Sequence, residues 1–318
     1  MPKVTVIVPI YGVEKYIERC AVSLFEQTLS DIEYIFVNDC TKDNSMVILQ
    51  EVVSRYPNRI KNVQVIIMPI NSGLPSVRKE GLKYATGEYI AHCDSDDWLD
   101  ITAYEKLYNC AKYSNSDIVF YDFIKSDGIV QTLLYRDIDT SSKKSVLRDV
   151  TKKFCWSLCG ALAKRDLYTQ KGIVFPICNN GEDFALFSQL LYFAQSFSKL
   201  SEPLYYYYTN PNSITNVQTV ESFLKRFVEL KHNTQLVIDF YNKLQESSRY
   251  KNLITCYKLY CRTKLSPLTG QKQYYKMWRS TYPELNLYKI IINPIIPYRT
   301  ILHYIAVKCR VYHLLHKY

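Results

Sequence analysis

No stretch of the chain reaches the roughly 18 consecutive apolar residues that a transmembrane helix needs. The apolar run Val4–Ile10 is too short for the core of a signal peptide and has no cleavage pattern after it. No targeting segment is therefore expected, and the run reads as a first strand. Cysteine occurs ten times in 318 residues but never as C-x-x-C. The closest pairs, Cys155/Cys159 and Cys256/Cys261, have no His at zinc-site spacing, which excludes a zinc module and reads as reduced cytoplasmic thiols. No G-x-G-x-x-G follows the first strand and no G-x-x-x-x-G-K-[ST] occurs anywhere, so the dinucleotide fingerprint and the P-loop are both excluded. Acid is scarce only toward the end of the chain. Residues 216–318 hold 17 Lys and Arg against 5 Asp and Glu, whereas residues 1–215 hold 23 against 25. The whole net charge of +10 thus lies in the last third, which predicts a boundary near 215 and an anionic partner for the basic region.

What the chain does contain is an alternation. VTVIVPI (Val4–Ile10) is β-branched and nearly continuously apolar, the composition of a strand buried on both faces. Pro9 cannot donate to a ladder and is expected to end this strand, turning it toward Tyr11-Gly12. An amphipathic helix over Glu14–Gln27 follows, with Tyr16, Ile17, Cys20, Leu24 and Gln27 along one face. Further strands are predicted at Ile32–Asn38, Val63–Met68 and Tyr89–Ala91, with helices over about Met46–Tyr56 and Leu74–Ala85. Asp43, Asn44 or Ser45 can cap the first of these helices, and Thr86-Gly87 stops the second. Four alternations of strand and helix predict parallel βαβ units in a doubly wound, mostly parallel α/β sheet with flanking helices. A strand at 117–123 and a helix over Phe184–Ala194 follow. From Val217 onward Phe223, Phe227, Leu230, Leu236, Val237, Phe240, Tyr241 and Leu244 recur at helical spacing, predicting a helical C-terminal region.

The segment Gly87–Asp100, GEYIAHCDSDDWLD, concentrates the chemistry. Asp94, Asp96, Asp97 and Asp100 crowd the end of a buried strand, where like charges repel and desolvation adds to the cost. A divalent cation relieves both. Hard oxygen ligands suit Mg²⁺ or Mn²⁺, which commonly takes one or two carboxylates plus a substrate's phosphates. The plain alternative is a solvated acidic turn that caps the next helix. Ligands of doubly wound sheets sit beyond the carboxyl ends of the strands. Asp39 ends the second strand and Asp94 and Asp96 end the fourth, so chain order alone puts these acids on one rim. With no glycine-rich phosphate loop, phosphates fall to a metal and to basic side chains.

PIYGVEKYIERCAVSLFEQT, FVNDCTKDNS, NSGLPSVRKEGLKYATGEYIAHCDSDDWL and NNGEDFALF, in that order and spacing, resemble the family 2 glycosyltransferases of bacterial polysaccharide synthesis. The likeness covers residues 3–215 and implies the GT-A fold, a nucleotide-sugar donor and inverting transfer. It implies a catalytic domain at 1–215, with a nucleotide-sugar half to about residue 100 and an acceptor half over about 101–215, followed by a basic, aromatic-rich helical region at 216–318. By resemblance Pro9 and Tyr11 line the nucleoside pocket, Asp39 reads uracil, and Glu14 and Ser95 complete the nucleotide-binding set. The family usually has two acids and a glycine where this chain has Asn38, Asp39 and Cys40. Arg78 is implied to orient the nucleotide, with Lys79 standing where Asn is common. In the D-x-D Asp94-Ser95-Asp96, the resemblance makes Asp96 a ligand of Mn²⁺ or Mg²⁺, with Asp94 on the ribose or in the metal's shell. Asp97 is expected to cap the following helix over Trp98 and Leu99, and His92 and Cys93 to pack inside the strand. Inverting transfer is a single displacement that needs a carboxylate to take the acceptor hydroxyl's proton. The resemblance assigns that role to Asp183, with Glu182 as its partner or as an acceptor contact; an acidic pair at a helix start is otherwise a cap. Tyr205–Tyr208 are expected to alternate between core and acceptor groove, either stacking on sugars or simply packing.

The implied activity moves a hexosyl or N-acetylhexosaminyl group from a nucleoside-diphosphate sugar, with UDP as the expected carrier, to a glycan or lipid-linked oligosaccharide. The rival of another class is a non-catalytic sugar-nucleotide or glycan-binding module at the membrane. A nucleotidyltransferase needs a glycine-rich basic loop after strand one, and PIYGVEKY is not one. A helix from Tyr298 would set Ile301, Leu302, Ile305, Val311, Leu314 and Leu315 against Arg299, Lys308, Arg310 and Lys317. That pattern suits an interfacial helix on an anionic membrane surface, and equally a helix packed on the catalytic domain or on the partner of a homodimer. No nucleic-acid motif accompanies the charge, so no nucleic-acid partner is expected. The expected location is the cytoplasm, peripheral to the inner face of the cytoplasmic membrane.

Overall fold

The computed structural model describes residues 1–210 and 219–312. Strand β1 (Val4–Ile10) is apolar along its length because helices cover both of its faces. Val4, Val6, Val8 and Ile10 join one apolar cluster with α1 (Ile17–Phe25), and Ile7 joins a second cluster on the opposite face. The chain continues through β2 (Ile32–Asn38), α2 (Ser45–Arg55), β3 (Val63–Ile67), α3 (Leu74–Tyr84) and β4 (Tyr89–His92). These strands lie in the order β3-β2-β1-β4 and are all parallel, as the alternation predicts. Pro9 does not end β1. It pairs with Val37 inside the β1–β2 ladder, and the β1–β4 ladder stops at Ile7 opposite His92, so the missing N–H of Pro9 costs no bond.

The second half is mixed. After β5 (Trp98–Leu99), α4 (Ala103–Tyr113), β6 (Ile118–Ser126), β7 (Gln131–Leu134) and α5 (Lys143–Lys153) comes β8 (Ala161–Lys164), then α6 (Glu182–Phe193) and β9 (Phe197–Tyr208). The sheet runs on as β4-β8-β6-β9-β5, with β7 paired to β6. β8 is antiparallel to both β4 and β6, so it reverses the sheet between its two halves. Four residues, ALAK, carry too short a pattern to announce that strand.

The C-terminal region is helical as expected: α7 (Val220–Asn242), α8 (Lys251–Thr263), α9 (Lys272–Ser280), α10 (Leu287–Ile291) and α11 (Tyr298–Lys308). It shares one apolar cluster with the sheet half. Tyr241 of α7 donates its hydroxyl to the Ser188 carbonyl of α6 at 2.9 Å, and Tyr257 of α8 meets the Phe184 ring edge-on at 5.0 Å. α11 buries Tyr304 and Val307, with the Tyr304 ring 5.3 Å from that of Trp278 on α9, within the C-terminal region. It ends at Lys308, short of Val311, where Arg310 takes a left-handed φ of 62°. Leu314, Leu315, Lys317, Val217 and the boundary at 215 lie outside the described residues.

Candidate active site

Two loops close the β1–β2 side of the rim. The backbone after β1 is stitched to the loop after β2: Gly12 N donates to Thr41 Oγ1 (2.9 Å), Val13 N to Ser45 Oγ (3.1 Å) and Glu14 N to Asp43 Oδ2 (3.0 Å). Glu14 answers by accepting from Asn44 N at 3.1 Å. Burial pushes the Asp43 carboxyl up, but hydrogen bonds from Ser45, Thr41 and the Glu14 backbone outweigh it and hold the group below the usual range. Asn38 Oδ1 accepts from Thr41 N at 2.8 Å, a side-chain-to-backbone bond that fixes the turn and that the family's acid could make equally. Cys40 occupies the left-handed region at φ 60°, a conformation that a glycine would adopt without strain.

Asp39 is 4% exposed and accepts from two backbone donors of the loop after β3, Ser72 N at 2.7 Å and Gly73 N at 2.9 Å. Gly73 has φ 81°, and a Cβ there would lie 2.5 Å from Asn179 Oδ1. That same Asn179 oxygen accepts from Leu74 N at 3.0 Å, joining the α3 start to the turn before α6.

Arg78 organises the acidic centre. Its guanidinium is 1% exposed and donates to Asp94 (2.8 Å) and Asp183 (2.5 Å), while also pairing with Glu182. Burial lowers the stability of the cation, and the charges of Asp183 and Asp94 more than restore it, raising its pKa. Glu182 is 3% exposed and stands behind the cleft wall as a partner of Arg78. The exposed Lys79 faces away, over the Phe175 ring.

Asp97 does not cap α4. It accepts from the Tyr205 hydroxyl (2.6 Å) and from Tyr208 N (2.7 Å), while Asp100 accepts from Thr102 N (2.8 Å) at the helix start. The reason is tertiary: Trp98 and Leu99 form β5 against β9, which puts Asp97 beneath the tyrosine strand. Tyr205 and Tyr207 lie on one side of β9 at the cleft wall, whereas Tyr206 stacks on Trp98 at 5.1 Å and Tyr208 lies beside Tyr16; the sides alternate, but not as core against groove, because Tyr205 is fully buried while Tyr206 and Tyr208 are half-buried. His92 packs as expected: it is buried, its Nε2 lies 3.2 Å from the Tyr168 hydroxyl, and burial pushes its pKa down to about 3. Cys93 is fully buried beside it.

These loops and acids line a cleft of about 920 Å³. Pro9, Tyr11, Glu14, Asp39, Asp94, Ser95, Asp96 and Asp183 all reach it, and Arg78 and Glu182 support it from behind. Sequence reasoning did not single out Asn179, or Asn210, whose Nδ2 donates to Asp96 at 3.1 Å, or Arg226 and Glu229 of α7. Asn179 sits inside the NNGEDFALF motif, and Asn210 follows the tyrosine run by two residues. Nothing in the α7 pattern signals proximity to the cleft.

Among the described residues no three His, Cys, Asp or Glu side chains form a ready-made metal cage. Two carboxylates on a cleft wall nevertheless fit Mg²⁺ or Mn²⁺, which draws its other ligands from phosphate and water. The charge balance also fits: burial and the Asp94 and Asp96 charges push the Asp97 carboxyl well above its usual range, a crowding that a bound cation relieves.

The sequence model of glycosyl transferase family 2 matches residues 5–167, just over half of the chain. The chain belongs to this family. Among its relatives, the uncharacterised glycosyltransferase EpsJ of Bacillus subtilis (strain 168) is 32% identical over 250 residues, 76% of this chain and 70% of EpsJ. Poly(ribitol-phosphate) beta-glucosyltransferase of Bacillus spizizenii is 29% identical over 214 residues, which span 65% of this chain and only 32% of that longer protein. The fold matches that of S. aureus TarS 1-349 in complex with UDP-GlcNAc with a TM-score of 0.63, over 99% of this chain and 93% of that fragment, at 18% identity; it covers only 55% of the longer TarS chain. This family 2 glycosyltransferase thus has a GT-A-like mixed sheet with flanking helices and a helical C-terminal region. Asp183 lies beyond the span that the family's sequence model matches.

Proposed function

We propose that this glycosyltransferase is metal-dependent and inverting, and moves a sugar from a UDP-linked donor to a glycan or lipid-linked acceptor in surface-polysaccharide synthesis. The observation that carries this reading is that the D-x-D acid Asp94 and the helix-start acid Asp183 open into one cleft and are held by one guanidinium. Asp96, oriented by Asn210, and Asp94 would hold Mn²⁺ or Mg²⁺. Bound there, the cation would neutralise the donor's phosphates and the charge developing on the leaving nucleoside diphosphate. Pro9, Tyr11, Glu14, Asp39 and Ser95 would form the nucleoside side. Asp183 would take the proton of the acceptor hydroxyl as its oxygen attacks the anomeric carbon opposite the leaving group, which inverts that centre. The TarS complex with UDP-GlcNAc and the named activity of the B. spizizenii relative support a UDP donor and a cell-surface polymer.

Calorimetric titration of UDP, GDP, CDP and dTDP, with and without Mn²⁺, tests the reading. UDP should bind tightly only with metal. Asp96→Ala should abolish transfer in a folded protein, and Asp183→Asn should keep donor binding while losing transfer. Normal turnover in either variant removes that residue's role, and folded protein that binds no nucleotide favours the non-catalytic module.

The same reading places the enzyme at the cytoplasmic face of the membrane. Among the described residues no helix is long and apolar enough to cross it. Tyr288 and Ile291 on α10, Ile292 just after it, and Tyr298 and Leu302 on α11 are exposed beside Lys289 and Arg299, a combination suited to anionic headgroups. The protein should sediment with phosphatidylglycerol-containing vesicles and not with pure phosphatidylcholine. Equal sedimentation with both, or with neither, removes the anionic-surface reading.

A further inference from the structure

We infer that Asn233, on α7 of the basic C-terminal region, is a positioning residue for Asp183. The inference rests on the reading of Asp183 as the base. The turn of residues 178–181 delivers the chain into α6, whose first turn carries Glu182 and Asp183. Asn233 is fully buried, and its Nδ2 donates to both the Cys178 and the Asn180 carbonyls, each at 2.9 Å. Two further bonds tie the turn to the same helix: Asn180 N donates to Glu229 (3.0 Å), and Asn180 Nδ2 donates to the Arg226 carbonyl (2.8 Å). Gly181, at φ 80°, sits so close that a Cβ on it would lie 2.6 Å from Leu230 Cδ1.

On its other side the turn reaches the donor half of the cleft, where Asn179 accepts from Leu74 N. The turn is therefore a bridge, clamped from behind by α7 and joined in front to the loop that holds Asp39. Asp183 lies two residues beyond Gly181, so a shift of the bridge moves its carboxylate relative to Arg78 and to an acceptor hydroxyl. A misplacement of about 1 Å at a reacting group costs on the order of 100-fold in rate. An apolar residue would fill the Asn233 position but leave two buried carbonyls unpaired. The C-terminal region thus completes the catalytic geometry through α7.

Asn233→Leu keeps the volume and removes both donors. Its kcat should fall on the order of 10- to 100-fold, with UDP affinity in Mn²⁺ unchanged, and Asn233→Gln should recover part of the loss. Gly181→Ala, strained by its left-handed φ of 80° and crowded by Leu230 Cδ1, should give the same split if Asn233→Leu fails to fold. Wild-type kcat in folded Asn233→Leu, or kcat and UDP affinity falling together, or no recovery in Asn233→Gln, would overturn the inference. Asp183→Asn separates the two levels. Retained turnover there defeats the base reading itself, whereas lost turnover there with normal kcat in Asn233→Leu defeats only the positioning role.

Discussion

Arg78 carries one positive charge against three carboxylates and is almost wholly buried. Removing the guanidinium leaves Glu182 uncompensated away from water and Asp94 and Asp183 unpaired at the cleft wall. Arg78→Met should therefore destabilise the fold by about 3–5 kcal/mol, read as a lower midpoint in urea; an unchanged midpoint would show that the acids are neutralised in another way. Cys40 gives the opposite case. Its left-handed backbone at φ 60° carries a steric cost of about 1–2 kcal/mol that glycine escapes, less the extra entropy glycine loses on folding. Cys40→Gly should thus raise stability by about 0.5–1 kcal/mol, measured by the same unfolding curve, and a loss would mean that the Cys40 side chain contributes packing that outweighs the strain. Arg78 and Cys40 were both visible as motif positions. Their physical roles were not, because burial by three acids and a positive φ are properties of the folded chain.

Strands and helices were legible where the pattern was long. β1 and β2 read as continuous apolar runs because each is covered on both faces, and α3 and α6 appear close to their expected limits. Short elements were not legible, since β5 has two residues and β8 has four. Asp117 shows what holds such a sheet together. It accepts from Gln195 N (2.7 Å), Ser196 N (3.1 Å) and Lys164 Nζ (3.0 Å), and so joins the starts of β6 and β9 to the end of β8. Burial pushes its carboxyl up, but these bonds outweigh it and hold the group below the usual range. The unfolded chain, with an ordinary pKa of about 3.9, binds the proton first as pH falls. The stabilisation is therefore full above that value and is lost as pH drops through the native pKa. Asp117→Asn should melt below the wild type at pH 7, with the gap closing below about pH 4. A gap that persists in acid would show that the ionised form is not what stabilises the junction.

At the scale of the whole molecule the charge boundary and the packing disagree. Charge changes sharply near 215, yet α7 and α8 share their apolar cluster with α5 and α6, and α7 reaches the cleft through Arg226 and Glu229. A division in charge need not be a division in folding, because the hydrophobic core decides cooperativity. Scanning calorimetry should therefore show one unfolding transition for the full chain. Two separated transitions would make the C-terminal helices an independent unit.

The sequence by itself determined the parallel half-sheet, the acids at its rim and the family, because strand alternation, chain order and short motifs are local and survive in one dimension. Only the tertiary structure decided that Arg78 faces three acids, that Asp97 serves the tyrosine strand and that α7 grips the turn before Asp183. Each of these joins residues far apart in the chain through burial and hydrogen bonding, and no local pattern encodes which distant partner a side chain will meet.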